Sequence, residues 1–236
     1  MDQFQDSLFK PDGSQFTLET LPIWVPPTTR PSKDMPDLDD VLAITAQWAV
    51  ERIDTIREIY WQRGGWERWA QVELALLFTQ QYPATNTTRE QLVYVGSTRR
   101  ADLTLELKGE ETQVIEMKME SLWQDSSSGG PANFVNALKN DIYKIDVNNL
   151  LPKYRPALVY ALGITLMDPV NRFALNPENW APYQNDIKFR LLIPSTPDSP
   201  ALILWYVVLS RPATPTGDQD QHTMGYPKNA EPLPES

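Results

Sequence analysis

The chain has 236 residues, of which 41% are apolar and 22% are charged, as expected for one globular domain with its own core. It contains no cysteine, which excludes disulfides and thiolate metal sites and fits a reducing compartment. The net charge of −10 counts against nucleic-acid binding, which normally needs a basic surface, although half of the acidic excess lies in residues 1–37 and 210–236.

The sequence shows no sign of secretion or membrane insertion. Residues 1–10 have neither the basic nor the apolar region of a signal peptide. The longest apolar run, residues 201–209, is much shorter than a membrane span. We therefore expect a soluble, intracellular protein that does not contact a membrane.

Proline-rich, polar stretches mark both ends of the chain. Residues 1–36 contain six prolines and are predicted to be an irregular N-terminal segment. Residues 37–210 are predicted to form a single domain. Residues 211–236 lack the apolar content needed to offset the entropy of ordering and predict a disordered tail. The only histidine, His222, lies in that tail, which argues against histidine-based catalysis and a His/Cys zinc site.

Two helices are predicted at the start of the domain. Asp37 is a suitable N-cap, and apolar residues recur after it at spacings of three and four as far as Tyr60. Gly64-Gly65 is expected to end this helix. The second helix, residues 66–81, is apolar over most of its surface and is expected to be well buried.

Glu73 is the exception in the second helix, because it lies on an apolar face, four residues from both Trp69 and Leu77. A buried carboxylate is costly unless it is paired or bound to a cation. Glu73 therefore either pairs with an arginine such as Arg99 or Arg100, or takes part in a functional site.

Residues 100–119 alternate between polar and apolar in two runs separated by a turn, which predicts a β-hairpin with one apolar face. Asp102, Glu116 and Lys118 can share the polar face. Two close carboxylates repel each other unless a cation lies between them, and Mg²⁺ prefers oxygen ligands. The hairpin is therefore predicted to be a metal site.

This prediction depends on the register of the hairpin. Asp102 and Glu116 share a face only if the numbers of opposed residues add to an even total, which requires an odd-length loop or a bulge near Gly109. We predict the odd loop, with a positive φ at Gly109. The alternative is a two-residue turn at Gly109-Glu110, which would set Asp102 opposite Met117 and separate the carboxylates.

The remaining elements surround this hairpin. A short strand at residues 91–95 precedes it, and a flexible connector at residues 123–131 follows it. An apolar stripe then predicts a third helix, and apolar runs predict three more strands at residues 157–166, 187–193 and 201–209. This order indicates an α/β fold, borderline with α+β, in which helices flank a central mixed β-sheet.

Asp102 and Glu116-Met117-Lys118, preceded by Glu73 on a helix, resemble the motif of the PD-(D/E)XK nuclease superfamily. The resemblance implies a restriction-endonuclease-like core over residues 66–166, with Asp102 on the second core strand and Glu116-Met117-Lys118 on the third. Glu73 matches the acidic residue on the preceding helix. Ala101 replaces the proline of the motif, a tolerated departure because that proline is often missing.

The resemblance further implies a Mg²⁺-dependent nuclease that hydrolyses phosphodiester bonds, with DNA favoured over RNA and Mn²⁺ able to substitute. Asp102, Glu116, the Met117 carbonyl and Glu73 would hold the metal, and Lys118 would orient the water or stabilise the transition state. Candidate phosphate contacts are Arg99, Arg100, Lys139 and Lys144, although each could equally be an ordinary solvated charge.

Two alternatives use the same residues differently. Glu116 and Lys118 could form a surface cross-strand pair with neighbours such as Thr104, while Asp102 caps a turn. The nuclease-like fold could also be catalytically unused and act as an acidic protein-interaction module for a basic partner.

A truncation tests the predicted tail. Deleting the residues from Pro212 onward should leave the melting temperature and metal binding nearly unchanged, because that segment lacks an apolar face to pack. Thermal unfolding of the full and truncated chains gives the comparison. A large fall in melting temperature would mean that the tail packs on the domain.

Overall fold

The protein is represented by a computed structural model that describes residues 34–62, 65–96, 98–122, 131–147, 149–167 and 173–213. The predicted N-terminal segment (1–36), connector (123–131) and tail (211–236, with His222) lie mostly outside these residues. In the part of the chain that the structure describes, no helix is both long and apolar enough to cross a membrane.

The fold is α/β, with helices on a six-stranded mixed sheet. The helices are α1 (Leu38–Glu51), α2 (Ile53–Tyr60), α3 (Glu67–Gln81) and α4 (Pro131–Val147). The strands are β1 (Asn86–Leu92), β2 (Arg100–Glu106), β3 (Thr112–Met119), β4 (Ala157–Met167), β5 (Lys188–Ile193) and β6 (Ala201–Arg211). Their order in the sheet is β1-β2-β3-β4-β6-β5, and β3 and β4 form its parallel pair.

Apolar residues cover both faces of the sheet. On one face Leu103 and Met117 belong to a core shared with α1 and α3. On the opposite face Val114 and Val159 belong to a core shared with α4. The alternation along β2 and β3 therefore separates two helical layers, and Glu116 and Lys118 of β3 lie on the α4 side.

The first predicted helix begins where expected but is divided. Asp37 accepts a hydrogen bond from the Asp40 amide at 3.0 Å, and Asp40 accepts one from the Asp37 amide at 3.1 Å, a reciprocal capping box. At Arg52 the backbone leaves the helical conformation, so the predicted single helix becomes α1 and α2.

Helix α3 matches its predicted bounds but is less buried than its sequence indicated. Ala70, Leu74 and Phe78 lie on its buried side, whereas Val72 and Leu76 are exposed. The reason is that α3 packs on the sheet and on α1 from one side only. The apolar composition of α3 therefore predicted more burial than the structure shows.

The strand predicted at residues 91–95 is displaced, since β1 covers Asn86–Leu92. This strand lies at the edge of the sheet and pairs only with β2, so it is largely polar and has no apolar face that alternation could reveal. Beyond its end, Tyr94 forms an isolated bridge with Leu150. The three later strands lie within two residues of their predicted bounds.

The hairpin register is the predicted one. Leu103 pairs with Ile115 and Leu105 with Gln113, so the numbers of opposed residues add to an even total. The loop at residues 107–111 has an odd length, and Gly109 adopts φ +92°. The competing two-residue turn is excluded, and Asp102, Glu116 and Lys118 share one face.

Helix α4 lies unusually close to the sheet at Gly163 of β4. A Cβ atom at this position would come within 2.7 Å of Leu138 Cδ2 and of Phe134 Cζ, both on α4. Such distances are well below van der Waals contact, so the Leu138 and Phe134 side chains would have to move to admit any side chain here.

Replacing Gly163 by alanine should therefore destabilise the fold by ~1–3 kcal/mol, because the added methyl group overpacks the α4–β4 contact. Chemical denaturation measures the cost. In the double variant with Leu138→Ala, the total loss should be smaller than the sum of the single losses by about 1 kcal/mol, since removing the leucine relieves the clash. Strict additivity would contradict the close approach.

Candidate functional site

The site begins with two carboxylates on adjacent strands. The observed pairing ends at Leu103 and Ile115, and the same register continued by one residue would set Asp102 across from Glu116. The Met117 amide donates a hydrogen bond to Asp102 Oδ2 at 2.6 Å, which fixes this side chain. Oδ1 of Asp102 accepts no hydrogen bond from any described residue and is left for another partner.

Glu116 is almost completely enclosed, with 1% of its surface exposed. Its Oε1 accepts a hydrogen bond from the Tyr94 hydroxyl, and its Oε2 lies 2.6 Å from Lys144 Nζ. Lys144 Nζ also donates to the Arg100 carbonyl at 2.7 Å. The alternative of a surface cross-strand pair is therefore wrong for Glu116, because its ion pair is buried and reaches α4.

Lys118, two residues further along β3, contacts two more carboxylates. Its Nζ lies 2.9 Å from Glu67 Oε2, at the start of α3, and 4.0 Å from Asp141 Oδ2 on α4. Asp141 Oδ2 is shielded from solvent and has no hydrogen-bond partner among the described residues. Lys118 supplies a nearby positive charge, but no donor replaces the hydrogen bonds to water that this buried oxygen has lost.

The carboxylates of this cluster are hard to ionise. Burial raises the pKa of Asp102 to about 6, although the hydrogen bond from Met117 opposes this change. Burial likewise raises the pKa of Asp141 to about 7 and that of Glu116 to about 8, against the lowering effects of Lys118 and Lys144. The two ammonium groups therefore do not compensate fully for the desolvation of these acids.

Lys118 shows the opposite effect. Burial alone would lower its pKa, but the negative charges of Asp141 and Glu67 outweigh burial and raise that pKa above its usual value. Lys118 is therefore an ammonium at neutral pH. It can donate hydrogen bonds and supply positive charge.

The structure does not bring Glu73 to the cluster, which corrects the sequence prediction. Glu73 Oε2 pairs with Arg52 Nε at 3.0 Å, and Glu67 is the acid of α3 that reaches Lys118. Six residues of helix separate the two acids by about 9 Å along the axis. Glu73 is paired with an arginine, as one alternative proposed, but that arginine is neither Arg99 nor Arg100.

The four candidate phosphate contacts have different positions. Lys144 lies in the centre of the cluster and is paired with Glu116. Arg100 contributes its carbonyl to Lys144, while its guanidinium donates to the Glu90 carbonyl. Arg99 is exposed. Lys139 donates to the Asn179 carbonyl at 3.3 Å and is not part of the cluster.

Sequence reasoning missed Glu67, Tyr94 and Asp141. A signal for Asp141 was present, because it lies three residues after Leu138 and four before Ile145 and so interrupts the apolar stripe of α4 with a carboxylate. Glu67 resembles an ordinary acid in the first turn of a helix. Nothing in the sequence around Tyr94 distinguishes it from a core tyrosine.

The cluster suits a hard divalent cation in its donors and its charge. When all are ionised, Glu67, Asp102, Glu116 and Asp141 exceed the two lysines by two negative charges. Among the described residues, no three acidic or histidine side chains already surround one point. Mg²⁺, however, is usually held by one or two carboxylates together with water or phosphate, so Asp102 and Glu116 fit its requirements.

No protein-family model, curated protein sequence or solved structure matches this chain. The assignment of a function therefore depends on the geometry and charge of the cluster.

The raised pKa of Asp141 predicts a pH-dependent stability. Between the pKa of an unfolded aspartate, about 4, and the folded value the native state binds the extra proton, so stability is lost as pH rises through about 7. Asp141→Asn mimics the protonated acid. In EDTA, its melting temperature should approach that of the parent near pH 5 and exceed it by a few degrees near pH 8.

The exposed Asp54 on α2 gives a matched control, and Asp54→Asn should show no such trend. A melting-temperature difference for Asp141→Asn that stays constant across this pH range would show that Asp141 is ionised in the fold at no cost.

Proposed function

We propose that this protein is a metal-dependent nuclease with a restriction-endonuclease-like core, acting on DNA in preference to RNA. The observation that carries the proposal is the placement of Asp102, Glu116 and Lys118 on one face of the β2–β3 hairpin, under α4. Hydrolysis of a phosphodiester requires positive charge beside the phosphate, and this face combines cation ligands with an ammonium.

The order of elements supports the same proposal. From Glu67 to Met167 the chain runs helix, three strands, helix and strand, as α3, β1, β2, β3, α4 and β4. The acid lies on the second of these strands, and the Glu-x-Lys lies on the third. The sites of many α/β proteins are built in this way, from residues that the sheet holds rigidly.

The residues of the cluster have distinct proposed roles. Asp102 and Glu116, with the Met117 carbonyl, would hold Mg²⁺, with Mn²⁺ able to replace it. A bound Mg²⁺ would neutralise charge on the phosphate and acidify a water molecule. Lys118, kept protonated by Asp141 and Glu67, would donate a hydrogen bond to the attacking water or the phosphoryl oxygens.

A second candidate is a nuclease-like fold used as an acidic protein-interaction module. It is favoured by one observation, namely that both oxygens of Glu116 already contact protein groups, Tyr94 and Lys144, as in a structural ion pair. Against it, the Asp141 oxygen without a hydrogen bond and the excess of carboxylates over lysines have no use in a scaffold. Metal-dependent cleavage of plasmid DNA distinguishes the two candidates.

Asp102→Ala and Lys118→Ala should each reduce Mg²⁺-dependent cleavage of plasmid DNA by ~100-fold or more, because each removes a group needed in the transition state. Asp102→Ala should also weaken Mg²⁺ binding, measured by calorimetry, whereas Lys118→Ala should not. Circular dichroism verifies that both variants fold.

Glu73→Gln is the informative control, since the structure pairs Glu73 with Arg52 rather than with the cluster. It should cleave at nearly the parental rate. Cleavage by Asp102→Ala or Lys118→Ala at the parental rate would refute the proposed function, as would the absence of cleavage in the parent with either Mg²⁺ or Mn²⁺.

A further inference from the structure

Lys144 is paired with Glu116, the same glutamate that the proposed function assigns to the metal. Its Nζ lies 2.6 Å from Glu116 Oε2, its side chain is only 13% exposed, and its second partner is the Arg100 carbonyl at 2.7 Å. The other oxygen of Glu116 is held by the Tyr94 hydroxyl. Each oxygen of the glutamate proposed as a metal ligand therefore already contacts a protein donor.

We propose that Lys144 is an internal counter-ion which a divalent cation must displace from Glu116, and that it thereby sets the metal affinity of the site. This inference rests on the proposed function. It assigns to Lys144 a positioning role in metal loading, rather than the contact with substrate phosphate that its sequence position suggested.

Lys144 and a divalent cation would compete for the Glu116 carboxylate because both are positively charged and would lie close together. An ammonium at hydrogen-bond distance from Oε2 would lie within a few ångströms of any cation bound to the same carboxylate, in a region shielded from water where like charges repel strongly. The single negative charge of Glu116 can therefore offset the charge of Lys144 or part of the charge of the metal, but it cannot fully stabilise both cations at once. Tyr94 is neutral, since its pKa is raised by burial and then by Glu116, and its hydroxyl can remain on Oε1 throughout.

The structure also supplies a second acceptor for the displaced ammonium. Asp141 precedes Lys144 by three residues on α4, so the two side chains lie on the same side of the helix. Asp141 Oδ2 is shielded from solvent and accepts no hydrogen bond from a described residue. The displaced Lys144 ammonium therefore has a second carboxylate, Asp141, on its own helix.

The experiment compares Lys144→Met with the parent in a calorimetric titration with MgCl₂. Methionine keeps the length of the side chain and removes its charge. A pH of about 8.5 limits competition by protons for Glu116. We expect Lys144→Met to bind Mg²⁺ ~10-fold or more tightly than the parent, because the competing cation is gone. In EDTA the same variant should melt at a lower temperature, because Glu116 has lost its counter-ion.

Two matched variants separate charge from position. Lys144→Arg keeps the charge and should bind Mg²⁺ about as the parent does. Lys139→Met removes a lysine from the same helix, but one that contacts Asn179 rather than the cluster, and should leave Mg²⁺ affinity unchanged. In the parent itself, the Nζ resonance of Lys144 should shift during the Mg²⁺ titration, a measurement that does not depend on whether Lys144→Met folds.

The outcomes distinguish this inference from the proposed function. If the parent binds Mg²⁺ but Lys144→Met binds it no more tightly, or if the Lys144 resonance does not move, Lys144 is not displaced and the inference fails alone. If the parent binds Mg²⁺ in competition with Lys144 but cleaves no nucleic acid, the nuclease proposal fails and the displacement holds. If no folded variant binds Mg²⁺, both are overturned.

Discussion

Burying the carboxylate of Glu116 is the constraint on which the arrangement of the site depends. A glutamate with 1% exposure is tolerated only if donors or cations replace its lost water. Lys144 reaches it from α4, the helix whose Leu138 and Phe134 pack against Gly163 of β4. The same helix therefore supplies both the packing on β4 and the counter-ion of a β3 carboxylate.

The site also depends on the hairpin register, which determines the face of the sheet on which Asp102, Glu116 and Lys118 all lie. Slipping the pairing by one residue would move Asp102 to the face occupied by Leu103 and Met117, beneath α1 and α3. The odd loop with its positive φ at Gly109 fixes the opposite arrangement. Because apolar residues fill the alternate positions, the core and the site select the same register.

The sequence was most informative for the β-hairpin, where the two-residue period of a strand determines which side chains share a face. The faces of the hairpin followed from alternation, because side chains on a strand must point to opposite sides. It was least informative where partners come from distant elements. Helical spacing identified Glu73 as an acid on an apolar face, but it carried no information on whether Arg52 or Lys118 would be its neighbour.

Two further differences concern the position of β1 and the burial of α3. The edge strand β1 has a solvated side and so shows no apolar alternation. Helix α3 has apolar residues on its exposed side as well as on its buried one, so composition alone overstated its packing. Asp141 could have been recognised from its place on the apolar stripe of α4. Its proximity to Lys118, however, depends on the crossover that sets α4 over β3 and β4.

The electrostatics of the cluster also bear on the acidic net charge of the chain. A chain of net charge −10 repels a polyanion, which is why composition alone counted against a nucleic-acid substrate. In the cluster, however, the four acids exceed the two lysines by two negative charges when all are ionised, so one divalent cation would neutralise that excess. The raised pKa values of Asp102, Glu116 and Asp141 indicate that these acids destabilise the metal-free fold. Sites that reduce stability in this way are typical of groups held for binding or catalysis rather than for packing.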